Sequence, residues 1–229
     1  MVALWRISKN GTRELERAVR ELGMKGVQIR THVDGQNLDS RALWPFYEKV
    51  SELGIPIDVH VTPAPRGFDA LHAPYALHYN IAREFDMCAT VFRICFGGVL
   101  EDFPNLVFIM NHFGGGISAV KDRMDYYVKV CGTDFWQQPD KPLINKPWTE
   151  YFDRFYFNMA GRGRGTAAIK CALANISSSK LLFGTDWPAN FEDDAPGALR
   201  YIEDAKSLDL DQGDIDGMLG GNAVQLLRL

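Results

Sequence analysis

The strongest constraint on this chain is a rhythm of short apolar runs, each stopping at a polar residue or glycine, with a helix-length segment before the next. Gly26-Val27-Gln28-Ile29-Arg30, Ile57-Asp58-Val59-His60-Val61, Leu106-Val107-Phe108-Ile109-Met110 and Phe155-Tyr156-Phe157-Asn158-Met159 each read as a buried strand. Val2 to Ile7 and Leu181-Leu182-Phe183 add one at either end. The segments between runs are long enough for right-handed crossovers, so the sheet should be parallel and covered by helices. The pattern predicts an α/β fold, a parallel (β/α) TIM-like barrel, with chemistry gathered where the strands end.

Helical spacing supports this order. Asn10-Gly11-Thr12 reads as a turn and N-cap, ahead of a helix through Leu15, Ala18, Val19 and Leu22 that Gly23 ends. Asp39 reads as the cap of a second helix, Leu43 to Leu53, stopped by Gly54 and Pro56. Further helices are expected from Tyr79 to Phe96, from Ile117 to Val130, near Thr166 to Leu173, and after Asp193 with a break at Gly220-Gly221. Thr62 to Pro74 and Asp134 to Pro147 read as long irregular excursions, and Gly161 to Gly165 as a loop above the barrel. With no repeat and no linker, residues 1-229 are expected to form a single domain.

Charge excludes several partners. A net charge of −4 gives no footprint for nucleic acid or an anionic membrane. No run approaches the ~18 apolar residues of a membrane span. The four cysteines are widely spaced, without Cys-x-x-Cys or a secretory segment in front. We expect reduced thiols, a cytoplasmic location and a small-molecule substrate.

Three side chains stand at equivalent places, each just past an expected strand: His60, His112 and Asp186. In a parallel barrel those ends converge, so two imidazoles and a carboxylate could surround one Zn²⁺, Fe²⁺ or Mn²⁺ ion. Such an ion activates water or polarises a carbonyl. Each histidine alone reads more readily as a hydrogen-bonded structural residue. Their joint placement is what favours a site.

Four stretches carry a resemblance: Phe96-Gly-Gly-Val-Leu-Glu-Asp-Phe-Pro-Asn-Leu106, Asn111-His-Phe-Gly-Gly-Gly116, Leu182-Phe-Gly-Thr-Asp-Trp-Pro188 and Gly221-Asn-Ala223. As an ordered set over nearly the whole chain they resemble the amidohydrolase-related branch of the amidohydrolase superfamily, within it the aminocarboxymuconate-semialdehyde decarboxylase group. The resemblance implies a distorted (β/α) barrel with one divalent metal, Zn²⁺ first and Mn²⁺ as the alternative. It implies His60 and Asp186 as metal ligands, and His112 and Asp186 as catalytic groups that act with water and move a proton. Arg66, in the loop after the His60 strand, is a candidate for pairing with a substrate carboxylate. Trp187 could wall a pocket and Asn158 could line it. His72 and His78 near the same loop, and Phe191 beyond Asp186, are weaker candidates.

One departure stands out. The family's first strand carries His-x-His, and none of the five histidines here has that spacing. Counted back from Asp186, Val2 to Ile7 matches the third strand of the family, which predicts about six of the usual eight strands, with the N-terminal part missing. Such a barrel would bind its metal weakly and leave a sheet edge to be covered by another subunit, so a homo-oligomer is expected. His32, in the loop after the Val27 strand, reads as a polar loop residue rather than a replacement ligand. Three functions follow: a metal-dependent hydrolase of a small carboxylic acid or ring, a non-oxidative decarboxylase of an unsaturated or aromatic acid, or a truncated non-catalytic relative with a binding or assembly role.

Overall fold

The computed structural model describes residues 2–3, 9–63, 65, 67–68, 71, 75–131, 141–160, 165–187 and 194–229. Its elements are β1 (Val2–Ala3), α1 (Lys9–Arg20), β2 (Val27–Arg30), β3 (His32–Val33), β4 (Gln36–Asn37), α2 (Trp44–Leu53), β5 (Ile57–His60), α3 (Arg83–Phe96), α4 (Val99–Asp102) and β6 (Phe108–Met110). There follow α5 (His112–Cys131), α6 (Trp148–Phe152), β7 (Phe155–Asn158), α7 (Thr166–Leu173), β8 (Leu181–Leu182), α8 (Asp194–Lys206), α9 (Gln212–Asp216) and α10 (Asn222–Leu227). The main sheet has six strands in the order β1-β2-β5-β6-β7-β8, and every pair is parallel. This is the expected α/β architecture, a barrel-type sheet whose order ends at β1 and β8.

Alternation along the strands separates two faces. Val27, Ile29, Ile57 and Val59 are at most 1% exposed and pack under the helices. Phe108 meets Tyr47 of α2, while Phe155 and Phe157 meet Phe152 of α6. Each such aromatic pair adds ~0.5–1.5 kcal/mol beyond the apolar area it buries. The residues between them, Gln28, Arg30, Asp58 and His60, therefore project to the inner face. Register aligns Gln28 with Asp58 and Arg30 with His60.

Two expectations at helix starts need correction. Asn10, Gly11 and Thr12 lie inside α1, which begins at Lys9. Buried Leu15 and Ala18 stabilise that helix by packing, which outweighs the ~1 kcal/mol cost of a glycine in it. Asp39 does not cap α2: a 3₁₀ turn at Arg41–Leu43, with Ser40 before it, leads in, and Pro45 occupies the first turn. The His32 segment is an antiparallel ribbon of β3 and β4 rather than a plain loop. Asp34 and Gly35, at φ +49° and +75°, form its two-residue turn.

The last motif of the resemblance, Gly221-Asn222-Ala223, holds β8. Asn222 donates through Nδ2 to the carbonyls of Ser178 and Leu181, at 2.9 and 2.8 Å, and Phe183 N–H donates to Met218 O at 2.9 Å. The chain between Met218 and Asn222 thus clasps the strand that presents Asp186. The expected break falls at Gly220, whose φ of 174° interrupts the turn before α10.

Candidate metal centre

The three side chains singled out by strand position come together. His60 Nε2 lies 3.9 Å from Asp186 Oδ1, and His112 Nε2 lies 3.8 Å from Asp186 Oδ2. The imidazole centroids are 5.7 Å apart, with planes at 74°. One donor atom from each residue falls within 4.8 Å of the others. These separations are too long for hydrogen bonds. They suit two ligands on one ion, since atoms each ~2.0–2.2 Å from a metal are at most ~4.3 Å apart.

Local backbone aims the groups. His112 follows β6 directly, at φ +53°, and Phe113 to Gly116 continue in left-handed conformation before right-handed helix resumes at Ile117. Positive φ costs an ordinary residue ~1–2 kcal/mol, and such strain gathers where function requires a direction. Gly115 permits the turn to press on the next element: a Cβ there would lie 1.9 Å from Glu84 O. Asp186 is also left-handed, at φ +57°. Gly184, two residues before it, touches Asn158 so closely that a Cβ would sit 2.2 Å from Asn158 Oδ1.

Hydrogen bonds set the ring orientations. His60 donates from Nδ1 to Val61 O at 3.1 Å, leaving Nε2 toward Asp186. His112 Nδ1 faces Glu84 Oε1 at 2.9 Å, and its Nε2 is buried with no hydrogen-bond partner. A buried nitrogen left unpaired costs ~1–3 kcal/mol. A cation or a substrate group between the three residues would remove that cost, so the donor set fits a divalent metal. The Asp186 carboxylate, chiefly, raises the His60 pKa above its ordinary value against the opposing effect of burial.

One layer below, the same face is closed. Asp58 is 3% exposed and accepts from Gln28 Nε2 at 2.6 Å and Asn111 Nδ2 at 2.9 Å, and Asn111 Nδ2 also reaches Val59 O at 2.8 Å. Burial raises the Asp58 pKa, and its two amide donors oppose the rise.

Of the other candidates, Asn158 projects to the inner face, with Oδ1 committed to Ala160 N–H at 2.7 Å, so it orients the ends of β7 and β8. Trp187 is 62% exposed beside Asp186. His78 stands at the start of the π-helical turn His78–Ala82 that leads into α3. Arg66, His72 and Phe191 lie outside the described residues. Sequence reasoning missed Glu84, the partner of His112, because nothing in the spacing links positions 28 residues apart.

An amidohydrolase family model matches residues 3–229. The chain belongs to the amidohydrolase family. It is 28% identical over 224 residues to 2-amino-3-carboxymuconate-6-semialdehyde decarboxylase of Dictyostelium discoideum, covering 97% of this chain and 58% of that protein. Similarity to gamma-resorcylate decarboxylase of a Polaromonas species is 29% over 231 residues, covering 95% and 66%. Among solved structures, a dihydroxybenzoic acid decarboxylase from Polaromonas, with bound manganese and the inhibitor 2-nitroresorcinol, superimposes with a TM-score of 0.76 at 25% identity, covering 96% of this chain and 65% of that one. The family member described here thus spans roughly three fifths of the length of these relatives. Among its described residues no helix is long and apolar enough to cross a membrane.

Proposed function

We propose that the chain carries the metal-dependent site of a non-oxidative decarboxylase acting on an aromatic or unsaturated carboxylic acid. The observation that carries this is the triangle of His60, His112 and Asp186, with a buried, unpaired Nε2 at one corner. Hydrolysis, the reading that the sequence put first, now ranks second, because the relatives described above are decarboxylases by name. In this proposal residues 1-229 act as one barrel unit, and the acid is a small-molecule substrate.

His60 and Asp186 would hold the ion. Manganese is preferred over zinc, on the support of the Polaromonas neighbour. When bound, the metal would act as a Lewis acid that polarises a substrate oxygen. The net change is loss of carbon dioxide from the carboxylate and arrival of one proton at the carbon it leaves. His112 would supply that proton from Nε2, while Glu84, against Nδ1, stabilises the imidazolium before transfer and keeps the ring facing the site. Asp186 would return the proton to the imidazole from solvent, being 26% exposed. Trp187 would flank the ring of the acid, Asn158 would fix the strand ends, and Arg66 would pair with a substrate carboxylate.

The test is carbon dioxide release from 2,6-dihydroxybenzoate and from benzene dicarboxylic acids bearing a hydroxyl group, with Mn²⁺ supplied. Release that is lost in His112→Ala supports the reading. A folded, metal-loaded protein that releases none from the whole panel, while cleaving esters or amides, would replace it with hydrolysis.

A further inference from the structure

A buried pair outside the metal triangle takes no part in the chemistry above. His32 Nε2 meets Asp86 Oδ1 at 2.7 Å, with the two side chains 13% and 6% exposed. The other polar atoms of the two groups, His32 Nδ1 and Asp86 Oδ2, are buried with no hydrogen-bond partner. A half-satisfied polar pair is a poor way to stabilise an interior, since well-packed apolar side chains of the same shape would serve as well or better. Its place in the fold gives it another use.

Each end of the pair is tied to a histidine of the site. Thr31, one residue before His32, donates its N–H to His60 O at 3.0 Å and its hydroxyl to Thr62 Oγ1 at 2.7 Å. Asp86 lies in the first turn of α3, two residues after Glu84, which meets His112 Nδ1 at 2.9 Å. Residues two apart on a helix point to nearly opposite sides, so Glu84 faces the His112 turn while Asp86 faces the His32 ribbon.

The start of α3 has little else to fix how it is turned. Ala82 precedes it without a side-chain cap, and the wider π-helical turn His78–Ala82 runs straight into it. The close approach of Gly115 to Glu84 O sets the distance between α3 and the His112 turn, not the rotation of the helix. Resting on the reading of His112 as proton donor, we propose that His32 and Asp86 are positioning residues: their contact turns the start of α3 so that Glu84 meets His112 Nδ1 and leaves Nε2 facing the site.

Carbon dioxide release with Mn²⁺ supplied gives the first test. Asp86→Ala should lower kcat about tenfold and change KM less than about twofold, the scale on which the outer partner of a site histidine acts. In a Glu84→Ala background the same substitution should change kcat less than about twofold, because the route through Glu84 is already gone. Asp86→Asn, whose Oδ1 can still accept from His32, should keep most of the rate.

Proton–nitrogen NMR of the full chain at about pH 9, where a free imidazole is neutral, reads the ring without reference to activity. His112 should carry its proton on Nδ1, against Glu84, in the unaltered protein and in Asp86→Asn. In Asp86→Ala, and in His32→Phe, which keeps the ring shape without its donor, about half or more of that proton should move to Nε2. A lower melting temperature with the proton still on Nδ1, or kcat effects that multiply in the Glu84→Ala background, would overturn the proposal. So would failure of both Asp86→Ala and His32→Phe to fold, since the pair would then maintain the fold. A chain that releases no carbon dioxide yet shows the proton shift keeps the positioning role and loses the decarboxylase reading, and release without the shift does the reverse.

Discussion

Two layers of the same inner face, one strand step apart, behave in opposite ways. In the lower layer Asp58, Gln28 and Asn111 form a closed network, with Gln28 and Asp58 on ordinary strand and Asn111 just past the end of β6. In the upper layer Asp186 stands 3.9 Å from His60 and 3.8 Å from His112, beyond hydrogen-bond reach of either, and Asp186 and His112 are left-handed. Both layers are polar and largely buried. The difference is satisfaction: the buried Asp58 carboxylate has its donors supplied by the chain and maintains the fold, whereas His112 Nε2 is buried without a hydrogen-bond partner and suits a ligand.

That contrast breaks first if the closed layer proves dispensable. Asn111→Ala removes one of two donors to a buried carboxylate together with a bond to Val59 O, and should cost about 2–4 kcal/mol in denaturant unfolding. A loss under ~0.5 kcal/mol would mean that the network does not stabilise the fold. In the upper layer Glu84→Gln should leave stability nearly intact but lower metal affinity or turnover about 10- to 100-fold, because the carboxylate orients and polarises His112. Equal effects of Asn111→Ala and Glu84→Gln on stability would erase the distinction between the layers.

Acidity sharpens it further. The His60 pKa is raised, chiefly by Asp186, so the ring stays protonated to a higher pH than a free imidazole at ~6.5. In metal-free protein the pair's contribution to stability is fully present below that ordinary value and is lost as pH climbs through the raised one. Metal binding has the opposite sign, since the ligand must be neutral: affinity should fall about tenfold per pH unit below the raised pKa. Flat Mn²⁺ affinity between pH 5.5 and 8 would show that His60 is not a ligand. The smallest expected change in stability is that of Asp186→Gly, which relieves a positive φ and, in metal-free protein above the raised His60 pKa, should raise stability by about 0.5–1 kcal/mol. Destabilisation there would move Asp186 into the structural class.

Much of this was legible beforehand, for definable reasons. Strands and crossovers appear in the sequence because a buried parallel strand must be apolar and must stop where its end meets solvent. His60, His112 and Asp186 were legible because each sits just past such a stop. Glu84 was not, because it stands at the start of a helix, where charge is ordinary, and its role depends on the packing of α3 against the His112 turn. The β3–β4 ribbon had a signal in Asp34-Gly35, but flanking runs of two residues are too short for alternation to register. Gly114-Gly115-Gly116 was legible as an unusual turn, while its left-handedness and its approach to Glu84 required coordinates.

The central claim is that His60 and Asp186 hold one divalent ion beside His112, in a chain whose histidines include no His-x-His pair. The direct measurement is titration of metal-free protein with Mn²⁺ and Zn²⁺, followed by elemental analysis after desalting, for the unaltered chain and for His60→Ala and Asp186→Ala. The account predicts one equivalent bound by the unaltered chain and loss of that equivalent in both variants, with melting temperatures preserved. No saturable binding at any supplied concentration, or an equivalent retained in both variants, would contradict it.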